Sequence, residues 1–203
     1  PPEENGVLSL KAFRLPMVRR ALYPLPMAWA FTETGLARET VVSTAERRKP
    51  SFWELAAWAG RSSACVNWWT AWPPKTPSAS VVANLTLLRA IKGEAGTECQ
   101  PAELCSPPYP LHGSSTGSRW DALVLEAVRR AGRGRDLVTA YFPGLDVMLF
   151  RTGPMTLSDG MDLGQGLMES FGTLDAALGR MMQEGRRVIL IGSSGRQMPA
   201  WAY

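Results

Sequence analysis

Three times along this chain a helix-like amphipathic stretch runs into a short apolar segment, and that alternation is the strongest constraint on what it can fold into. Residues 50–60 read as the first helix, with Ser51 and Glu54 spaced as a capping box and Gly60 as its stop. Residues 63–69 then read as a strand, closed off by Pro73-Pro74. The second unit is a helix over 118–132, on which Trp120, Leu123, Val124, Ala127, Val128 and Ala131 share a stripe, followed by a buried strand over 136–142. The third is a helix over 161–184, with Leu163, Leu167, Phe171, Leu174, Leu178 and Met181 at helical spacing, a stop at Gly185 and a strand over 187–191. Strands joined through helices need crossover connections. The expectation is therefore an α/β fold, a largely parallel sheet flanked by helices.

A length of 203 residues suits one domain with a real core, spanning 1–203. The loops over 72–80 and 93–117 hold most of the remaining Pro, Gly and Ser, and the second is long for a structureless connection. A short helix over 81–91 is expected between them. The net charge of +4 is too small for a nucleic-acid footprint, and Arg129, Arg130, Arg133, Arg135, Arg186 and Arg187 fall near helix ends, where cations are favoured. No apolar run is long enough to span a bilayer, and Pro24 and Pro26 break the most apolar early stretch. The Pro1-Pro2-Glu3-Glu4 start is what a processed or trimmed chain would show.

Of the three cysteines, Cys65 sits in an apolar run and reads as a buried thiol. Cys99 and Cys105 flank a short polar loop; they pair in an oxidising compartment or remain surface thiols in a reducing one, and the sequence leaves both open. The spacing fits no common zinc pattern, and His112 is the single histidine. His112, Asp146 and Ser193 or Ser194 supply the residue types of a hydrolase triad, but Gly192-Ser193-Ser194-Gly195 is one residue short of a nucleophile elbow. The loop from His112 to Gly117 resembles a phosphate cradle without the lysine of a P-loop, and reads better as the lead into a helix cap. Asp159 and Asp162 read as acids at the start of the long helix. Eight tryptophans are many for this length. Trp53, Trp58, Trp68 and Trp69 fall on expected elements, whereas Trp29, Trp72 and Trp201 lie beside proline-rich loops or the terminus, where aromatics suit an interface or a membrane surface.

Several of these landmarks occur in a familiar order. Phe52-Trp53-Glu54-Leu55, Ala59-Gly60 and Val66-Asn67-Trp68-Trp69-Thr70-Ala71-Trp72-Pro73 resemble the type I phosphodiesterase/nucleotide pyrophosphatase branch of the alkaline phosphatase superfamily. Thr32-Glu33-Thr34-Gly35-Leu36 is similar to that family's loop after the nucleophile helix. Tyr141 to Asp146, and Leu174 to Gly179, resemble later landmarks. The resemblance implies an alkaline-phosphatase-like core and, in active relatives, a two-metal site built from Asp and His beside a Ser or Thr nucleophile.

Mapped by motif spacing, the nucleophile position is Leu25, which has no nucleophilic atom. The Asp–His ligand pair becomes Asp146 and Phe150, and the later Asp-His pair becomes Ser193 and Ser194. Asp146 alone is a vestigial ligand, and one carboxylate cannot assemble a tetrahedral zinc site. By the same mapping the Asp of the first strand falls before residue 1 or has been lost, and the last His falls beyond Tyr203, so the resemblance leads one to expect a partial lobe of that fold. The expectation is a pseudoenzyme with no catalytic residues, metal or cofactor. It would act as an accessory or scaffold subunit of a larger, extracytoplasmic and membrane-associated protein complex, with membrane-surface contact as an open possibility. The rival readings are a metal-dependent phosphodiesterase or phosphatase with ligands supplied from outside this chain, and a metal-free nucleotide- or phosphate-binding domain.

Overall fold

The computed structural model describes residues 11–16, 27–41, 43–105, 109, 112–113, 115–144 and 160–192. Its centre is a four-stranded sheet in the order β5-β4-β3-β6, formed by β3 (Ser63–Val66), β4 (Ala79–Val82), β5 (Cys99–Gln100) and β6 (Leu137–Ala140). β3 is parallel to both β4 and β6, while β5 runs antiparallel along the outer edge of β4. The fold is thus α/β with a mixed, mostly parallel sheet. A separate antiparallel pair, β1 (Lys11–Arg14) with β2 (Arg38–Val41), flanks the short helix α1 (Ala28–Glu33).

Side chains alternate across the sheet with the period of two that a strand imposes. Ala64, Val66 and Val82 face one layer, where they pack with Leu87 of α3 (Asn84–Ile91) and with Trp120, Leu123, Val124, Ala127 and Val128 of α4 (Thr116–Ala131). Cys65, Ala79 and Val81 face the other, against Trp53 of α2 (Phe52–Trp58) and Ala71. Both faces are covered, which is why the strands read as unbroken apolar runs rather than as polar–apolar alternation. Burial pushes the Cys65 thiol well above its ordinary pKa, so it stays a neutral core group.

The first two expected helices form. The capping box of Ser51 and Glu54 is present, and Gly60 takes φ +76° just past α2, a left-handed stop suited to glycine. α4 starts two residues earlier than the expected 118: Thr116 is its first residue and Ser115 its N-cap, and Ser115 and Ser118 exchange hydrogen bonds as a capping box. The expected strands are shorter, ending at Val66 and Ala140. The single helix expected over 81–91 is two elements. Val81 and Val82 belong to β4, fully buried between β3 and β5, and only the segment from Asn84 onward is helical. Two β-branched residues in a central strand won over the helical pattern.

The third unit departs further. α5 (Gly160–Gln183) forms and lies along α4, with Ser170 and Ala177 buried and Met181 reaching the core. Phe171, expected on the buried stripe, faces out. Residues 187–191 are not a strand, and Ile189 and Ile191 are 84 and 86 % exposed. Among the described residues β6 pairs with β3 alone, so its other side is an open edge.

The described residues of the loop over 93–117 are tied down at several points. Cys99 and Cys105 are joined by a disulfide, which links β5 to the 3-10 turn Ala102–Cys105. Tyr109 donates to the Leu104 carbonyl, and the Arg130 guanidinium covers its ring at 4.7 Å. Burial, with only partial relief from Arg130, lifts the Tyr109 pKa to about 12.

Arg47 and Glu54 form a buried ion pair at 2.7 Å where the chain enters α2, with the guanidinium also over the Trp53 ring. Burial alone would raise the Glu54 pKa. The Arg47 hydrogen bond, the Ser51 N–H and the charge of Arg47 outweigh it, and the net shift is downward from 4.5. A depressed carboxylate pKa adds stability above the unfolded value and loses it as pH falls through the folded value. Acid should therefore weaken the fold from about pH 4.5 downward. Glu54→Gln, which strands a buried guanidinium, should cost roughly 3–5 kcal/mol at neutral pH and flatten that acid limb. Urea denaturation across pH checks both.

Candidate functional site

In open α/β sheets, ligands bind outside the carboxyl ends of the strands. Here that end is organised by Asn67, the residue after β3. It adopts φ 63°, a left-handed conformation that asparagine tolerates better than most side chains. Its N–H donates to the Val82 carbonyl at 2.8 Å, at the end of β4. Its Nδ2 donates to the Tyr141 carbonyl at 2.7 Å, just past β6. Its Oδ1 accepts from Asn84 Nδ2 at 2.8 Å, at the start of α3. One fully buried residue, through its backbone N–H and its side-chain amide, thus ties together the ends of all three parallel strands.

The aromatic run follows directly. Trp68 packs at 5.4 Å from Trp53 and 6.1 Å from Tyr141, so it continues the core beneath α2. Trp69 and Trp72 instead border a cavity of about 110 Å³ with Ser43, Pro73, Ala83, Asn84 and Leu85. Thr44 fixes this corner: its N–H donates to the Trp72 carbonyl at 3.1 Å and its hydroxyl to the Pro73 carbonyl.

Beyond β6, the Gly144 N–H donates at 2.8 Å to Oδ1 of Asp121, a fully buried carboxylate on α4. A Cβ at position 144 would collide with that carboxylate and with the Gly117 carbonyl, so the close approach requires glycine. Asp121 was not singled out by sequence reasoning. The signal available was an acid between Trp120 and Leu123, inside an otherwise apolar stripe.

A larger, open cleft of about 460 Å³ lies at the other end of the strands, lined by Arg61, Arg135, Ser62, Ser78, Ser80 and Gln100 among others. Ser62, Ser78 and Gln100 in its lining are engaged in structural hydrogen bonds. Gln100 Nε2 donates to the carbonyls of Thr76, Pro77 and Ala79, each at 3.0 Å. Asp136 accepts from the N–H and hydroxyl of Ser62, and those bonds hold its carboxyl below the usual range. The carboxyl end, where buried polar groups converge, is the stronger candidate.

Of the residues expected to matter, Leu25, Asp146, Phe150, Ser193, Ser194 and Trp201 lie outside the described residues. Asp159 does as well. Trp29 falls within α1, and Trp72 is half-buried at the small cavity. His112 is exposed ahead of α4. The loop behind it is engaged in capping, and Arg119 Nε donates to the Gly113 carbonyl at 2.9 Å. Among the described residues no three His, Cys, Asp or Glu side chains gather as a metal site, and no helix is long and apolar enough to cross a membrane. No family model matches the chain, and neither a curated protein nor a solved structure does. The likeness to the phosphodiesterase branch rests on the sequence motifs.

The Asn67 bridge makes a direct prediction. Asn67→Ala removes both side-chain bonds, the one to the Tyr141 carbonyl and the one from the buried Asn84 amide, at roughly 1–3 kcal/mol for a buried group left without its bond, and places an alanine at positive φ without local hydrogen bonding. Asn67→Gly relieves the second cost and should be the milder variant. Guanidinium unfolding midpoints of the two variants separate the backbone share from the hydrogen-bond share.

Proposed function

We propose that this chain is a catalytically inactive phosphodiesterase-like domain that serves as an accessory or scaffold subunit of a larger, membrane-associated protein complex outside the cytoplasm. The observation that carries this reading is an apolar surface on α2. Phe52, Leu55 and Trp58 recur at three-residue intervals on one face of that helix, and Leu55 and Trp58 are 51 and 58 % exposed. Water-exposed Trp and Leu at helical spacing form the kind of patch that marks a protein interface.

Two features support the rest. The phosphodiesterase-like motifs keep the residues that build the sheet and its Trp-rich end, but put Leu25, Phe150, Ser193 and Ser194 where the family's chemistry needs a nucleophile and metal ligands. At the ends of β3 and β4, the polar side chains are the amides of Asn67 and Asn84, bound to each other. The Cys99–Cys105 disulfide suits an oxidising compartment.

The double variant Leu55→Glu, Trp58→Glu places two charges on the patch without touching the buried face of α2. It should drop out of the native assembly, read by co-sedimentation of the tagged chain from its source membranes. Its thermal midpoint should stay within a few degrees of the unmodified chain, as expected for surface changes. Full retention of the double variant in the assembly would refute the docking role of this face.

A further inference from the structure

The open cleft at the amino end of the strands carries charge that the fold does not use. Arg61 follows α2, Arg135 leads into β6, and both line the cleft. Arg47, Arg89, Arg129 and Arg130 each pair with a glutamate. Among the described residues the guanidiniums of Arg61 and Arg135 make no hydrogen bond and no ion pair. No Asp or Glu belongs to the described lining. Asp136 is committed to the N–H and hydroxyl of Ser62, and Arg61 acts on it only as a charge through space.

Capping does not explain the two arginines. Cations are favoured at helix C-termini, but the last turn of α2 is closed by backbone alone. The carbonyls of Leu55, Ala56 and Ala57 accept from the N–H groups of Ala59, Arg61 and Gly60. At the end of α4, the Val128 carbonyl accepts from the Gly132 N–H. Nor does the cleft suit a small molecule. Such ligands are mostly enclosed by apolar and aromatic walls, whereas this cleft is open and has no aromatic residue in its described lining. Its neighbour is more telling. Ala57 and Gly60 border the cleft, and Trp58, on the exposed apolar face of α2, lies between them in sequence. The cleft and the apolar face therefore adjoin.

We infer that this cleft docks an acidic segment of the partner protein, whose Asp or Glu carboxylates pair with the guanidiniums of Arg61 and Arg135 while its apolar side chains cover the exposed face of α2. The inference deepens the docking reading above and rests on it. Arginine forks hold carboxylates through paired N–H···O bonds, and arginine is enriched with the aromatic residues at protein interfaces. A lipid surface is the poorer fit, since cations that serve one stand out around the apolar patch, whereas Arg135 is half-buried in a concavity.

The test uses the full chain and three probes: hexaglutamate, hexaglutamine as its uncharged counterpart, and vesicles of phosphatidylserine with phosphatidylcholine. Saturable hexaglutamate shifts that weaken with salt are expected at the side-chain Nε–H signals of Arg61 and Arg135 in NMR spectra, with none for hexaglutamine. The double variant Arg61→Gln, Arg135→Gln should weaken hexaglutamate binding about ten-fold or more, through the loss of two charge-assisted contacts. It should also leave the native assembly while keeping its thermal midpoint, since neither guanidinium makes a bond within the described fold. Arg38→Gln with Arg180→Gln, the same charge change at exposed arginines outside the cleft, should alter neither readout. Absence of saturable hexaglutamate binding overturns the proposal, and so do equal shifts with hexaglutamine. Equal weakening by the two double variants overturns it as well, since net charge alone then does the binding. Vesicle binding that the cleft variant abolishes, without hexaglutamate binding, assigns the cleft to a lipid surface instead. Retention of the cleft variant in the assembly, with loss of the Leu55→Glu, Trp58→Glu chain, sinks the acidic docking alone. Retention of both variants sinks the docking reading with it.

Discussion

The carboxyl end of this sheet depends on the Asn67 side chain. Parallel strands are joined by long crossovers, so nothing local holds their ends in register. Here one amide and its backbone N–H reach the end of β4, the start of α3 and the exit of β6 together. The positive φ at Asn67 is what turns the chain out of β3 and sends it into the aromatic run. Trp68 can then continue the core under α2 while Trp69 and Trp72 form the mouth of a small cavity. Buried polar networks of this kind specify one arrangement when each member is satisfied. The unmatched Oδ1 of Asn84 is the place where this network is incomplete.

The second constraint is the covering of both sheet faces. Residues alternate strictly along β3, with Ala64 and Val66 toward α4 and Cys65 toward α2. Neither helix alone could bury the strands. Cys99 and Cys105, joined by the disulfide, and Tyr109 beneath Arg130 pack against the α4 side of the core. The opposite side, at β6, stays open among the described residues. That open edge and the apolar face of α2 are the two features that a partner chain would most plainly relieve.

Much of this was legible in the residues. The capping box at Ser51 and Glu54, the apolar stripe from Trp120 to Ala131 and the glycine after α2 each carry a local physical signal, and each forms as read. The failures have physical reasons too. Val81 and Val82 fit a helical pattern as well as a strand, and only their burial between two neighbouring strands decides the matter. Residues 187–191 carry strong strand propensity, yet propensity cannot supply a neighbour to pair with. The antiparallel pair β1–β2 gave no alternating signal clear enough to read. For the candidate site, the Trp-rich run lies just beyond the carboxyl end of β3, where the buried amides of Asn67 and Asn84 meet. Asn67 and Asp121 went unnoticed because their roles come from groups more than twenty residues away or from three strands at once, which no local pattern encodes.

Amides and apolar rings occupy the carboxyl end of the sheet, and on the proposed reading no metal chemistry remains in this chain. Metal content tests this most directly, measured per chain on protein purified without chelators and then exposed to excess zinc and desalted. No stoichiometric metal is the expected result. About two zinc ions retained per chain, the complement of a two-metal phosphoryl-transfer site, would contradict it and restore the enzyme reading.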